Sequence, residues 1–162
     1  MTADQDRIWR AAVEIGTCMM VTRHGDALRA RPMQALVDRD ENTIWFLSDR
    51  ATHKNGKGIP SSRACLAFSD VEEDLYVSLS GQIDVIDDRT KVAALLSVGD
   101  RLDDDERVVA EDLIALRFIP DTGEIWDGWG PSANEDVAGE NKNEVIIVKT
   151  GVKIAFRRDG LS

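Results

Sequence analysis

Two arginines one residue apart, Arg29 and Arg31, stand in a run that otherwise reads as a strand, Ala27 to Val37. A turn over Asp38 to Asn42 leads to a second strand, Thr43-Ile44-Trp45-Phe46-Leu47-Ser48, followed by His53 and Lys54. Side chains in a strand alternate faces, so Arg29, Arg31, Met33 and Ala35 are expected on one side of the sheet. With Ser48, His53 and Lys54 arriving at the end of the next strand, these residues would form a cationic pocket suited to phosphate. Arginine binds phosphate oxygens through a planar fork, and lysine adds a point charge. The competing reading is that both arginines reach solvent from an edge strand. The residues alone leave those two readings open.

The elements that must position these groups follow from periodicity. Asp4 to Ile15 reads as a helix with Ile8, Ala12 and Ile15 on one stripe and Trp9 as a packing residue, closed by Gly16. Thr17 to Arg23 forms a hairpin with Ala27 to Val37 around His24-Gly25-Asp26. Arg63 to Ser69 is a further strand. Leu75 to Ile86 shows the clearest alternation of the chain, with Gly81 marking a bulge or bend. Asp87-Asp88 is expected to cap a helix over Arg89 to Val98. Asp112 to Ile119 reads as a strand, and Glu124 to Trp126 as a short continuation after a turn at Pro120 to Gly123. The segment Gly128 to Asn143 reads as a loop. Val145 to Lys149 and Val152 to Phe156 suggest a closing hairpin around Thr150-Gly151. Many short strands with few helices imply a mainly β fold, a small antiparallel barrel with peripheral helices.

Composition narrows the function. The 162 residues fit a single domain spanning 1–162, with 43% hydrophobic and 31% charged residues. A net charge of −10 argues against nucleic acid as the main partner, which needs a basic footprint. The first residues lack the pattern of a signal peptide, and no apolar run reaches membrane-spanning length, so a cytoplasmic location is the default expectation. Cys18 and Cys65 lie in apolar strand-like runs and read as buried thiols rather than a disulfide. Two histidines and two cysteines without metal-ligand spacing give no zinc site, so no metal is expected.

Four segments, in order, carry a resemblance to a known family. They are Arg29 to Met33; Trp45-Phe46-Leu47-Ser48 with His53-Lys54; Tyr76-Val77-Ser78-Leu79-Ser80-Gly81; and Glu124-Ile125-Trp126-Asp127-Gly128. Together they resemble the pyridoxamine 5'-phosphate oxidase-like split-barrel flavoproteins, and among them the general stress protein 26 branch. The resemblance implies a split barrel that binds FMN at the interface of a homodimer. By position, Arg31 would contact the phosphate, Pro32 and Met33 would line the flavin, and Leu47 and Ser48 would meet the ribityl chain or phosphate. His53 and Lys54 would complete the anion clamp. Tyr76 occupies a further matching position, and Trp126 would reach the site from the partner subunit. Each residue also has a plainer reading: a turn at Ser48, solvated His53 and Lys54, a cross-strand Tyr76 and a packed Trp126.

Departures from the family pattern bear on the activity. Gly56, Gly58 and Pro60 weaken the helix expected after Lys54. The vitamin-synthesising oxidases place a basic residue five positions after the first arginine, where this chain has Leu36. They also carry an Arg-Leu-His type motif after the tryptophan, where this chain has Trp129-Gly130-Pro131-Ser132-Ala133. Pyridoxamine phosphate oxidation itself is therefore not expected. The leading expectation is an FMN-dependent oxidoreductase acting on a small redox substrate, with no catalytic acid or base assignable. The alternatives are a flavin-binding or sensing protein without turnover, and a split barrel holding haem, through His53, or a deazaflavin.

Overall fold

The computed structural model describes residues 2–51, 63–98, 110–128, 144–149 and 154–157. Helix α1 (Ala3–Ile15) opens with a capping box in which Thr2 and Gln5 exchange side-chain to backbone hydrogen bonds of 3.2 and 3.0 Å. It ends at Gly16, whose φ of 73° is one that side chains resist. Ile8, Trp9, Ala11 and Ala12 are its buried face.

The strands are β1 (Thr17–His24), β2 (Ala27–Gln34), β3 (Leu36–Asp38), β4 (Thr43–Asp49), β5 (Arg63–Asp70), β6 (Leu75–Ile86), β7 (Leu113–Asp127), β8 (Glu144–Lys149) and β9 (Ile154–Arg157). All pair antiparallel, in the order β2-β1-β5-β6-β7-β4-β3, with β8 on the end of β7 and β9 on β8. Helix α2 (Arg89–Val98) follows β6, and a short 3-10 helix (Ala110–Asp112) leads into β7.

The run expected as one strand from Ala27 to Val37 is two strands, and the break closes the barrel. At the break the Ala35 backbone N–H still donates to the Gly16 carbonyl at 2.8 Å, one position beyond the Thr17–Gln34 pair of β1 and β2. The chain on one side of it is the edge strand β2, and on the other side the opposite edge strand β3. Two ends of one sheet path are thus joined covalently, while β2 and β4 touch across the split between them.

A second difference lies at Pro120 to Gly123, expected as a turn between two strands. Here β7 runs unbroken through it for 15 residues. The register against β6 shifts between Ser80 and Gly81: Thr122 faces Ser80 and Pro120 faces Gly81, leaving Asp121 as the extra residue. Gly81 makes the bend possible. A Cβ there would run into the Ile119 carbonyl and lie 2.7 Å from Pro120 Cα. The irregularity expected at Gly81 is therefore present, but it bends the sheet rather than ending a strand. The closing hairpin is also present as the β8–β9 pair.

The core fills the barrel with Met20, Ile44, Phe46, Leu66, Phe68, Leu79, Leu116 and Phe118, and α1 plugs one end through Ile8 and Trp9. A smaller apolar cluster, Val92, Leu95 and Ala115 with Trp45, Leu47 and Leu113, lies between α2 and the outside of β4 and β7. Among the described residues no helix is long and apolar enough to cross a membrane, and no group of side chains could hold a metal ion. Cys18 and Cys65 are both free thiols.

Candidate functional site

Register decides which way each candidate side chain points. Directly opposed residues in an antiparallel pair share a face. Arg31 opposes Met20, and Met33 opposes Cys18, two residues that face the core. Arg29, Arg31 and Met33 therefore lie on the inner face of the edge strand, on one side as expected. Met33 packs against the core, Arg31 is half-buried, and Arg29 is exposed. Ser48 follows Ile44 and Phe46 in alternation and opposes Ile114, which places it on the same inner face at the end of β4. β2 and β4 touch across the split, so the edge strand that carries Arg31 and Met33 runs beside the strand whose end carries Ser48.

Tyr76 and Trp126 form a second group. They are direct cross-strand partners on β6 and β7, both half-buried. Their neighbours Val77 and Ile125 point into the core, so the two rings lie on the outer face. Pro32 opposes Met19, which is 40% exposed, and shares that outer face. Between Pro32 and Tyr76 the outer face is built from small groups, Cys65, Ala67 and Ser78, with the Cys65 sulfur 3.4 Å from Ser78 Oγ. A wall of small side chains lets another surface approach closely. Leu47 belongs to neither group, because its side chain packs beneath α2. His53 and Lys54 lie outside the described residues.

The electrostatics single out the edge strand. Arg7 pairs with Asp127 at 2.9 Å, Arg50 with Asp87, Arg63 with Asp121 and Arg117 with Asp84. Arg39 and Arg10 both meet Asp6, and Arg89 meets Glu111. Arg23 donates to the Gly25 carbonyl. Among the arginines whose side chains are described, only Arg29 and Arg31 have neither an acidic partner nor a hydrogen bond. In a chain with ten more acidic than basic residues, two guanidinium groups side by side without an acidic partner are groups of the kind that can meet an anion.

Burial pushes the Cys18 thiol up to about 12, with Cys65 nearby adding to the shift. Cys18 is thus an inert core group rather than a nucleophile. Asp121 is held below the usual carboxylate range, first by its hydrogen bond from Arg63. That pair sits at the β7 bend, away from the split.

Sequence reading missed two features. One is an open pocket of about 220 Å³ lined by Arg7, Arg10, Ala11, Glu14, Leu75, Ile125 and Asp127. It exists only because α1 packs over the ends of β6 and β7. The other is the engagement of Arg50, two residues past Ser48. Arg50 donates from Nη1 and Nη2 to Asp87 at 2.9 and 2.6 Å, and from Nε to the Glu111 carbonyl at 3.2 Å. An acidic residue 37 positions away gives no sequence signal for that contact.

Comparison with known proteins agrees with this arrangement. No functionally curated protein matches the chain. Among solved structures, a Clostridium acetobutylicum protein related to general stress protein 26 of B. subtilis superposes with a TM-score of 0.66 at 17% identity. That match covers 87% of this chain and 90% of the other. The general stress FMN/FAD binding protein of Xanthomonas citri gives a TM-score of 0.63 at 25% identity, over 85% and 94% of the two chains. A pyridoxamine 5'-phosphate oxidase-related, FMN binding protein of Nostoc punctiforme gives 0.61 at 12% identity, over 92% of each. The sequence profile named Pyridoxamine 5'-phosphate oxidase like matches residues 3–137. The antiparallel barrel split beside an arginine-bearing edge strand and the profile spanning most of the chain give one result: this protein belongs to the pyridoxamine 5'-phosphate oxidase-like family.

Proposed function

We propose that the protein binds FMN between two copies of itself and acts as a flavin-dependent oxidoreductase. The observation that carries this reading is the unneutralised Arg29–Arg31 pair on the edge strand. A phosphate dianion supplies the missing counter-charge, and Arg31, half-buried beside the core, is the better placed of the two to hold it. Ser48, on the same face, offers a hydroxyl to the phosphate or ribityl chain, and Met33 and Pro32 offer apolar surface to the ring.

The residues present fit such a ligand in charge and in shape, but they divide between two faces of the wall. Arg31, Met33 and Ser48 point inward along the split, while Tyr76 and Trp126 point outward from β6 and β7. A second copy, bringing its outer face against the split of the first, unites both groups around one ligand. Twofold symmetry then makes two equal sites. The small side chains of the outer face favour that approach.

FMN would supply the hydride or electron transfer, and the protein's part is to hold, orient and shield it. Pyridoxamine phosphate is not the proposed substrate, because Leu36 stands where the vitamin-synthesising enzymes carry a basic residue. Leu36, half-buried, packs against the apolar cluster under α2.

The visible spectrum of the freshly purified protein, with mass spectrometry of what denaturation releases, tests the proposal. A flavin band with released FMN is the expected result. A colourless protein that takes up no added FMN would overturn it. Reduction of the bound flavin by NADPH and reoxidation by an acceptor separates an enzyme from a protein that only binds.

A further inference from the structure

We propose that Arg50, acting through Asp87, is a positioning residue of the flavin site, an assignment that rests on the FMN reading above. The ladder that holds β4 to β7 ends at the Asp49–Leu113 pair, one residue beyond Ser48. Past that point the chain turns away as a helical step at Arg50 and Ala51, started by a hydrogen bond from the Ala51 N–H to Asp49 Oδ1 at 2.8 Å. An anchor just past that point adds to the ladder in fixing the strand end that carries Ser48.

Arg50 provides that anchor. Its two terminal nitrogens meet both oxygens of Asp87, at 2.9 and 2.6 Å, and its Nε meets the Glu111 carbonyl at 3.2 Å. A bidentate fork fixes orientation as well as distance. Asp87 is itself rigidly mounted, between the end of β6 and helix α2. The next residue, Asp88, caps α2 by accepting from the Thr90 and Lys91 N–H groups at 2.9 and 3.3 Å. On the neighbouring face Lys91 lies 4.1 Å from the Trp45 ring, tying α2 to the middle of β4 as well. One arginine thus joins the end of β4, the start of α2 and the lead into β7.

The same contacts take Arg50 out of the phosphate-binding set. Three of its five N–H groups are engaged by Asp87 and Glu111, and its charge is already met by the Asp87 carboxylate. Arg50 is two residues from Ser48 in sequence, but its guanidinium is turned to Asp87 and the Glu111 carbonyl. Its effect on the ligand runs through the placement of Ser48 and the strand end.

The sign of the Asp87 effect separates positioning from direct binding. FMN dissociation constants of wild type, R50A, R50K, D87N and the R50A/D87N double variant are measured by flavin fluorescence, with far-UV circular dichroism and thermal melts as folding controls. Positioning predicts that R50A and D87N each weaken FMN binding by about tenfold, as expected for loss of a charged hydrogen-bonded pair. The double variant is then no worse than either single one, and R50K, which keeps the charge but not the fork, is as impaired as R50A. If Arg50 touched the phosphate directly, D87N would leave binding unchanged or tighten it by freeing the guanidinium, and R50K would recover much of the loss. Either result overturns the assignment. Should R50A fail to fold, R50K and D87N carry the same test. A wild-type protein that takes up no FMN removes the flavin site and this assignment with it, whereas FMN binding indifferent to both substitutions overturns the assignment alone.

Discussion

Replacing Arg31 with alanine isolates the central claim about the edge strand. Arg31 opposes Met20, which is fully buried, and itself sits half-buried with no acidic or hydrogen-bonding partner among the described residues. Its removal breaks no ion pair or hydrogen bond among the described residues, so the change in folding stability should stay within about 0.5 kcal/mol. The ligand should feel much more. A hydrogen bond to a charged group is worth about 1.5–3 kcal/mol, and each 1.4 kcal/mol or so is a tenfold change in affinity. Arg31→Ala should therefore weaken FMN binding by roughly ten- to 150-fold while leaving the melting temperature nearly unchanged. Titration calorimetry with FMN and riboflavin side by side is the assay, because riboflavin lacks the phosphate. The loss should fall on FMN, with riboflavin affinity altered little. Equal losses for both ligands, or FMN affinity untouched, would refute the assignment of Arg31 to the phosphate.

Other outcomes follow from the same structure. Gly81→Ala places a methyl group against the Ile119 carbonyl and Pro120 at the β7 bend; it should destabilise the fold by about 1–3 kcal/mol, seen as a lower denaturation midpoint in urea. Trp126→Ala should lower flavin retention without changing the secondary structure, and the shared-site reading requires the wild-type protein to have a dimer's mass at micromolar concentration; a monomer carrying a full complement of flavin would contradict it. Cys18 should resist iodoacetamide at pH 8 in the native protein and react once the protein is unfolded, as mass spectrometry of the labelled peptides would show. Because the folded pKa of Cys18 is raised from 9.0 to about 12, its contribution to stability is present below pH 9 and is lost as pH rises toward 12. Cys18→Ala should accordingly lose less stability than wild type over that interval.

Much of the fold was legible in the sequence because its signals are local. The alternation in Leu75 to Ile86, the capping residues around α1 and the glycine at Gly16 act within a few residues and report their own conformation. The shared side of Arg29, Arg31 and Met33 was legible for the same reason, since a strand alternates whatever packs against it. The break at Ala35 was not legible, because it depends on β2 pairing with β1 while β3, one residue on, pairs with β4 at the other end of the sheet path. Neither was the unbroken passage of β7 through Pro120, which exists only because Gly81 on the facing strand lets the backbones close in.

Sequence by itself also determined which residue types are available to meet an anion, but not which of them are free to do so. Arg31 and Arg50 are the same residue type, one on β2 and the other just past the end of β4. One is left without a counter-charge and the other is held in a fork by Asp87. The division of Arg31 and Ser48 from Tyr76 and Trp126 onto opposite faces likewise emerged only from the register of the assembled sheet. Charge and periodicity are properties of the chain. The neutralisation of a charge, and the face from which two distant strands look at each other, are properties of contacts between residues far apart in sequence, and only the tertiary structure decides them.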